Sequence, residues 1–479
     1  MKKKIDKRLV VVSNRLPIVI DEEEGNWRIA PGSGGLITAL APVMKKNRGL
    51  WIGWPGCGEE APLQKLFEDF GKEQDYRLKG VPLTEEEVEK YYLGFSNETL
   101  WPLFHDLLGY CNFSLENWRT YQEVNRRFAS IVAEESKDDD FIWVHDYQLT
   151  LVGGYLREEG IKQTLAFFLH IPFPSADLFS RLPWKIELLR GMMEYDLIGF
   201  QTLRDRRNFV NCAIAMLPEA EVVSRLRHYT LLRYGSRKVK VGHFPISIDF
   251  EEFNRGARTK AVEEAAWYLH ENLQGRQLVL GIDRLDYTKG LPERFLAFER
   301  ALEKYPEIRR KITLLQVVVP SRTLVPDYQN LKELLDQLAG RINARFAEQG
   351  WIPIHYVYRS LEPTQLLAHY RTSEIALITP LRDGMNLVAK EYCAASVDQN
   401  GVLILSEFAG AADQMGKAAL LVNPYDIDGT ADAIYRAFTM EPEDRRQRLS
   451  LLQTIIRRHD VHRWVNQFVS SMKGEEWRE

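Results

Sequence analysis

No apolar run in this 479-residue chain reaches the ~18 residues that cross a bilayer. The basic start Met1-Lys2-Lys3-Lys4 leads into Ile5-Asp6-Lys7-Arg8 rather than an apolar signal core, so a cytoplasmic location without a membrane partner is expected. Cysteine is scarce. Cys57, Cys111, Cys212 and Cys393 are too few and too scattered for a disulfide framework, and none forms a CxxC pair. The ten histidines contain neither HxH nor HExxH, so no resident metal is expected. Charge of one sign is missing as well: 63 basic against 67 acidic residues leave −4. That balance lacks the basic excess that holds a nucleic-acid backbone by bulk charge. Low-complexity tracts and solenoid repeats are also absent.

What remains is an ordinary globular composition, 45% hydrophobic and 27% charged, with 11 Trp, 20 Tyr and 22 Phe. Short β-branched runs alternate with helix-period segments, the pattern of an α/β protein with parallel sheets covered by helices. Strands are predicted at Leu9–Ser13, Phe141–Val144, Leu165–Leu169, Leu197–Phe200 and Lys238–Phe244, and again at Leu278–Ile282, Ile312–Val319, His355–Tyr358, Ile375–Thr379 and Val402–Leu405. Helices are predicted at Thr84–Phe95, Trp118–Ser136, Trp184–Tyr195, Leu291–Lys304, Asp327–Phe346, Pro363–Thr372, Asn386–Ser396 and, as one charged segment, Pro442–Phe468. Single cores stop growing near about 250–300 residues, so two α/β halves fit better than one sheet. The join is expected at Pro245-Ile246-Ser247-Ile248-Asp249, before the polar, helical Glu251–Gly275.

Ligands of open parallel sheets sit outside the carboxyl ends of the strands, so the residues just after each strand are the informative ones. Pro31-Gly32-Ser33-Gly34-Gly35-Leu36 is a glycine turn before a helix, suited to a phosphate or to a tight surface turn. It is neither GxGxxG nor a Gly-Lys-Ser/Thr loop, which counts against a nicotinamide oxidoreductase. Arg284 and Lys289, within Gly281–Gly290, put two cations after a strand, suited to a diphosphate or else paired with Asp283 and Asp286. Pro380–Glu391 turns from strand to helix, aiming N–H groups from Met385 to Val388 at an anion, with Glu391 one turn along. Asp383 could equally cap that helix, and Glu391 could lie on a solvated face. His145-Asp146 and His170 put polar groups at buried strand ends, where a satisfied core histidine is the commoner outcome. The DxD matches Asp138-Asp139-Asp140 and Asp426-Ile427-Asp428 read as solvated loop or cap residues.

Together these motifs bring a family into view. With Val11-Val12-Ser13-Asn14-Arg15, Gly53-Trp54, Gly94-Phe95-Ser96-Asn97, Leu100-Trp101-Pro102 and Phe168–Pro174, the chain resembles the trehalose-6-phosphate synthases from about Leu9 to Trp464. These are retaining glucosyltransferases of family 20 with the GT-B fold, two Rossmann-like domains facing across a cleft. The resemblance implies an acceptor domain at 1–246, a nucleotide-sugar domain at 247–461 and a C-terminal helix at 462–479 crossing back. It places Gly34, Gly35, Arg284, Lys289, Leu361, Leu387, Val388, Ala389, Lys390 and Glu391 around the donor. Arg15, Tyr92 and Arg322 would hold the phosphate of glucose 6-phosphate, with Trp54, Trp101 and Asp146 shaping its sugar pocket. His170 and Asp383 would hold the transferred glucose, completing a catalytic set of Asp146, His170, Arg284, Lys289 and Asp383.

The implied reaction moves glucose from a nucleotide-glucose, UDP-glucose foremost, to glucose 6-phosphate with retained configuration. Retention usually suggests a carboxylate nucleophile; in this family the leaving diphosphate is thought to help deprotonate the incoming hydroxyl instead. No cofactor is implied, since the nucleotide-sugar is a substrate, and homo-oligomerisation is left open. Ending at Glu479, the chain is expected to lack the phosphatase domain of some relatives. Departures from the family pattern are Gln148 for a common His, Ser247 for Gly, and Leu361 in the base-binding neighbourhood, which leaves the nucleobase open. The rival readings are a synthase using glycerol 3-phosphate and a non-catalytic sugar-phosphate sensor.

Overall fold

The run Leu9-Val10-Val11-Val12 is fully buried, as expected of a parallel strand covered on both faces. In the computed structural model, which describes residues 7–23, 26–32, 35–57, 62–322 and 325–473, this run lies within the first of two sheets. The chain forms two units, Met1–Pro245 with Trp464–Glu479, and Ile246–Arg463.

In the first unit the strands are β1 (Leu9–Arg15), β2 (Ile18–Glu23), β3 (Asn26–Pro31), β4 (Leu50–Trp54), β5 (Arg77–Gly80), β6 (Phe141–His145), β7 (Thr164–Phe168), β8 (Leu197–Phe200), β9 (Ala220–Arg225), β10 (Tyr229–Tyr234) and β11 (Arg237–His243). Nine of them form a sheet in the order β5-β4-β1-β6-β7-β8-β11-β10-β9, while β2 and β3 make a separate hairpin. Pairing is parallel from β5 to β11 and antiparallel where β10 joins β11 and β9. A wholly parallel sheet was the expectation. The antiparallel edge escapes it because β9 and β10 alternate buried and exposed residues, a half-solvated pattern.

Two helices also differ from the sequence reading. The segment expected at Thr84–Phe95 starts with one α-turn, capped by a reciprocal Thr84–Glu87 box, and continues as a π-helix over Val88–Leu100. The charged segment expected at Pro442–Phe468 is two helices, Pro442–Arg458 and Val461–Met472. Asp460 separates them, its carboxylate accepting from the Arg463 N–H at 2.7 Å and so capping the second helix. On that second helix Trp464 and Phe468 pack on Trp143 of β6, with ring centroids 5.2 and 4.2 Å away.

The second unit is built on β12 (Gln277–Arg284), β13 (Ile312–Val319), β14 (Ile354–Tyr358), β15 (Ile375–Ile378), β16 (Val402–Ser406) and β17 (Leu420–Val422), ordered β14-β13-β12-β15-β16-β17 and parallel throughout. Centrally placed β12 and β15 carry their following residues, Arg284–Lys289 and Pro380–Asn386, to the same carboxyl end of the sheet. Among the described residues no helix is long and apolar enough to cross a membrane.

Candidate functional site

Strand register assembles the first cluster. Arg15 lies beside Trp54 where β1 pairs with β4. Its guanidinium sits over the Trp54 ring at 4.6 Å, and the Tyr92 ring lies 6.3 Å from Trp54. A cation over one aromatic face with a second ring beside it is suited to an anionic group carried on a sugar ring. Gly56 has a φ of +82°, and a side chain there would run into the Arg15 guanidinium. The π-helix presents Tyr92 and leads into Trp101, and Asn97 locks it. The Asn97 amide donates to the Tyr92 carbonyl at 2.7 Å and accepts from the Tyr147 hydroxyl at 2.7 Å. Tyr147 in turn packs 5.6 Å from Trp101. Asn97 closes the Gly94–Asn97 motif and Tyr147 follows Asp146, but the sequence assigns neither a role.

The adjacent ends of β6 and β7 carry the second cluster. Asp146 takes a φ of +73°, costly for a residue with a side chain. Two bonds hold it there: its N–H donates to the Phe168 carbonyl at 2.8 Å, and its Oδ1 accepts from the His170 N–H at 3.1 Å. His145 Nδ1 and His170 Nε2 are 3.1 Å apart. Burial, with the second ring nearby, holds His145 well below the usual imidazole range, and burial draws His170 down to about 3, so both are neutral near pH 7. Gly34 lies outside the described residues, and Gly35 opens the helix Gly35–Asn47.

In the second unit Lys289 Nζ donates to Asp383 Oδ2 at 2.6 Å, with both side chains largely buried. Among the described residues neither Arg284 nor Lys289 forms an ion pair with Asp283 or Asp286. Asp283 binds the buried Arg294, and Asp286 binds Arg322 at 3.1 Å. Arg294 also donates to the Lys289 carbonyl at 3.3 Å, fixing the turn that presents the lysine. Arg284 ends β12 exposed.

The helix Leu387–Ala395 is capped by Asn386, not Asp383: Asn386 Oδ1 accepts from the Ala389 N–H at 3.1 Å. Asn386 Nδ2 also reaches Asp383 Oδ2 at 3.2 Å, and Met385 N–H reaches Asp383 Oδ1 at 3.4 Å. An Asn three residues before the bonded N–H is a cap signal that sequence reading could have used. The N–H groups of Leu387 and Val388 stand first in the helix, without an intrahelical acceptor. They form a donor edge with the dipole's positive end behind it.

Three other expected residues are placed differently from one another. Glu391 is half-buried and accepts from the Tyr370 hydroxyl at 2.8 Å, and burial pushes its pKa up. The Lys390 side chain is turned inward, Nζ donating to the Ile246 carbonyl at 2.7 Å and to Gln414 at 2.8 Å. Its ammonium is therefore committed to the fold, and only its backbone remains for a donor. Leu361 is half-buried between β14 and the helix Pro363–Thr372. Arg322 belongs to the second unit, and Arg15 and Tyr92 to the first. Among the described residues no three His, Cys, Asp or Glu side chains are grouped to hold a metal ion.

The glycosyltransferase family 20 model matches residues 7–474. The chain belongs to that family. It is 40% identical over 467 residues to the UDP-forming alpha,alpha-trehalose-phosphate synthase A of Dictyostelium discoideum, covering 97% of this chain and 62% of that protein. The chain thus spans about three fifths of that curated relative. An E. coli structure bound with UDP-2-fluoro glucose superposes with a TM-score of 0.88 at 38% identity, covering 98% of this chain and 100% of the other. The UDP-forming synthase of Burkholderia xenovorans in complex with glucose-6-phosphate gives 0.86 at 35%, with coverage of 98% and 100%. The two sheet-bearing units are accordingly those of a GT-B glycosyltransferase.

Proposed function

We propose that this chain transfers glucose from UDP-glucose to glucose 6-phosphate with retention, yielding α,α-trehalose 6-phosphate and UDP, in the cytoplasm and without a resident metal. The observation that carries the reading is the Lys289–Asp383 pair beside the Leu387 and Val388 N–H groups that open the helix Leu387–Ala395. A cation and amide donors suit a diphosphate, and a carboxylate next to them suits the hydroxyls of the sugar it carries. The glucose 6-phosphate complex and the UDP-sugar complex of the two related structures support the same pairing of substrates.

In this reaction the bond from glucose C1 to the diphosphate oxygen breaks, and a bond from C1 to the acceptor hydroxyl oxygen forms on the same face. The hydroxyl proton passes to the leaving diphosphate. Arg284, Lys289 and the Leu387 and Val388 N–H groups stabilise the charge that grows on that leaving group. Asp383 and His170 hold hydroxyls of the glucose, and Glu391 the ribose. Arg15, Tyr92 and Arg322 hold the acceptor phosphate, while Trp54, Trp101 and Asp146 shape the pocket for its ring. The aromatic faces of Trp54 and Tyr92 favour a sugar ring over the three-carbon chain of glycerol 3-phosphate.

The deciding experiment sets UDP-, ADP- and GDP-glucose against glucose 6-phosphate, glucose and glycerol 3-phosphate, with products identified by mass and NMR. α,α-Trehalose 6-phosphate formed best from UDP-glucose is the expected result. A preference for glycerol 3-phosphate would overturn the assignment.

A further inference from the structure

We propose that His145 is a positioning residue for His170, donating its Nδ1–H to His170 Nε2 so that His170 offers an Nδ1–H to the glucose it holds. The inference rests on the reading of His170 as a sugar-binding residue and adds which atom acts and what sets it. His145 is fully buried, among the rings of Trp143 (4.6 Å between centroids), Phe168 (6.5 Å) and His170 (5.4 Å). At 3.1 Å, the Nδ1···Nε2 approach is a hydrogen bond between two imidazoles, and a bond of that kind carries one proton.

Both rings are neutral, so two arrangements are open. If His170 Nε2 is the donor, His145 must carry its proton on Nε2. That atom is buried with no hydrogen-bond partner among the described residues, so it would be an orphaned N–H. If His145 Nδ1 is the donor, the orphan at Nε2 is a lone pair. Buried N–H groups without acceptors are rarer than under-used acceptors, which selects the second arrangement. The proton of His170 then lies on Nδ1, which makes no hydrogen bond to a described residue on a half-buried ring. With both partners uncharged, His170 serves as a fixed neutral donor to a hydroxyl oxygen and not as a general acid or base. The two residues are 25 apart in sequence, and the parallel register of His145 with Phe168 brings them together.

Long-range 1H–15N correlation on the ligand-free protein reads both tautomers directly and requires no activity. The expected spectrum has protons on Nδ1 of both rings. His145→Leu removes the donor and should shift His170 toward the Nε2–H tautomer, lowering kcat about ten- to a hundredfold with little change in KM for the acceptor. His145→Asn, whose amide nitrogen reaches close to the Nδ1 position, should restore most of the rate. A proton on His170 Nε2 in the native protein overturns the proposal. So does a His145→Leu variant with unchanged tautomer and turnover, or an Asn variant as slow as the Leu variant. Should the leucine variant fail to fold, the native spectrum and the asparagine variant decide alone. If the native protein showed the expected tautomers but formed no trehalose 6-phosphate, the functional reading would fail while the tautomer assignment stood.

Discussion

Lys289 Nζ and Asp383 Oδ2 are bonded at 2.6 Å, although 94 residues separate them in sequence. β12 and β15 are neighbours in the sheet, so the turns that follow them end side by side. The pair keeps each charge compensated before substrate arrives. In the proposed reaction an entering nucleotide-sugar would take the ammonium on its diphosphate and the carboxylate on its hydroxyls, so exchange of partners would replace desolvation of bare charges.

Replacing the lysine tests that exchange. Lys289→Ala should lower kcat on the order of 10²–10³-fold, the usual consequence of losing a donor to developing negative charge. Acceptor KM should move far less, because the lost interaction strengthens as the diphosphate leaves. Steady-state kinetics at saturating donor checks this, and an unchanged kcat would remove Lys289 from the leaving-group role.

Arg322 carries two obligations. Its side chain is 6% exposed and pairs with Asp286, 1% exposed, and it also bonds Tyr328. Burial works to raise the Asp286 pKa, but Arg322, Lys289 and Arg284 outweigh it and hold the carboxyl below its usual range. Arg322→Ala removes the ion pair of that buried carboxylate, leaving it Thr288 and the more distant Lys289 and Arg284, and should cost up to about 3 kcal/mol of stability. Adding Asp286→Asn should recover part of the loss in a denaturation titration. In assays below the melting transition, Arg322→Ala should also cut kcat/KM for glucose 6-phosphate about ten- to a hundredfold, the value of a charge-assisted hydrogen bond. Free glucose should lose much less. Equal losses with both acceptors would show an arginine that only anchors its loop.

Lys390 gives a pH signature. Burial draws its pKa down to about 7, from about 10.4 for an exposed lysine. Between those values the unfolded chain binds a proton that the folded chain does not, so this group makes stability rise with pH across that window. Below about pH 7 both states are protonated and the penalty of burying the ammonium is fully present. The unfolding free energy of the native protein, minus that of Lys390→Met, should therefore increase from pH 7 to pH 10. Parallel profiles for the two proteins would contradict the assignment.

Chelation tests the donor site. With cations and backbone N–H groups on the diphosphate, turnover should persist in excess EDTA. Complete loss, restored by one specific metal ion, would show that an ion completes the site.

The sequence alone determined the α/β class, the two halves and the positions of the charged strand ends. The run Leu9–Val12 is apolar without alternation, and Ile312–Val319 is buried along almost its whole length with only Thr313 and Gln316 polar, as suits a parallel strand covered on both faces. Polar residues that follow such runs must lie at the carboxyl end of a sheet, so Arg284, Asp383 and Asp146 were legible as site candidates. Tertiary structure decided the partners. Asp283 stands next to Arg284 in sequence yet binds Arg294, Lys289 binds Asp383, and Lys390 turns inward to hold the Ile246 carbonyl. Alternation along a strand sends neighbouring side chains to opposite faces, and strand order sets which distant turn lies adjacent. The pairing of His145 with His170 depends on strand order, through the parallel register of β6 and β7, which no local pattern of residues encodes.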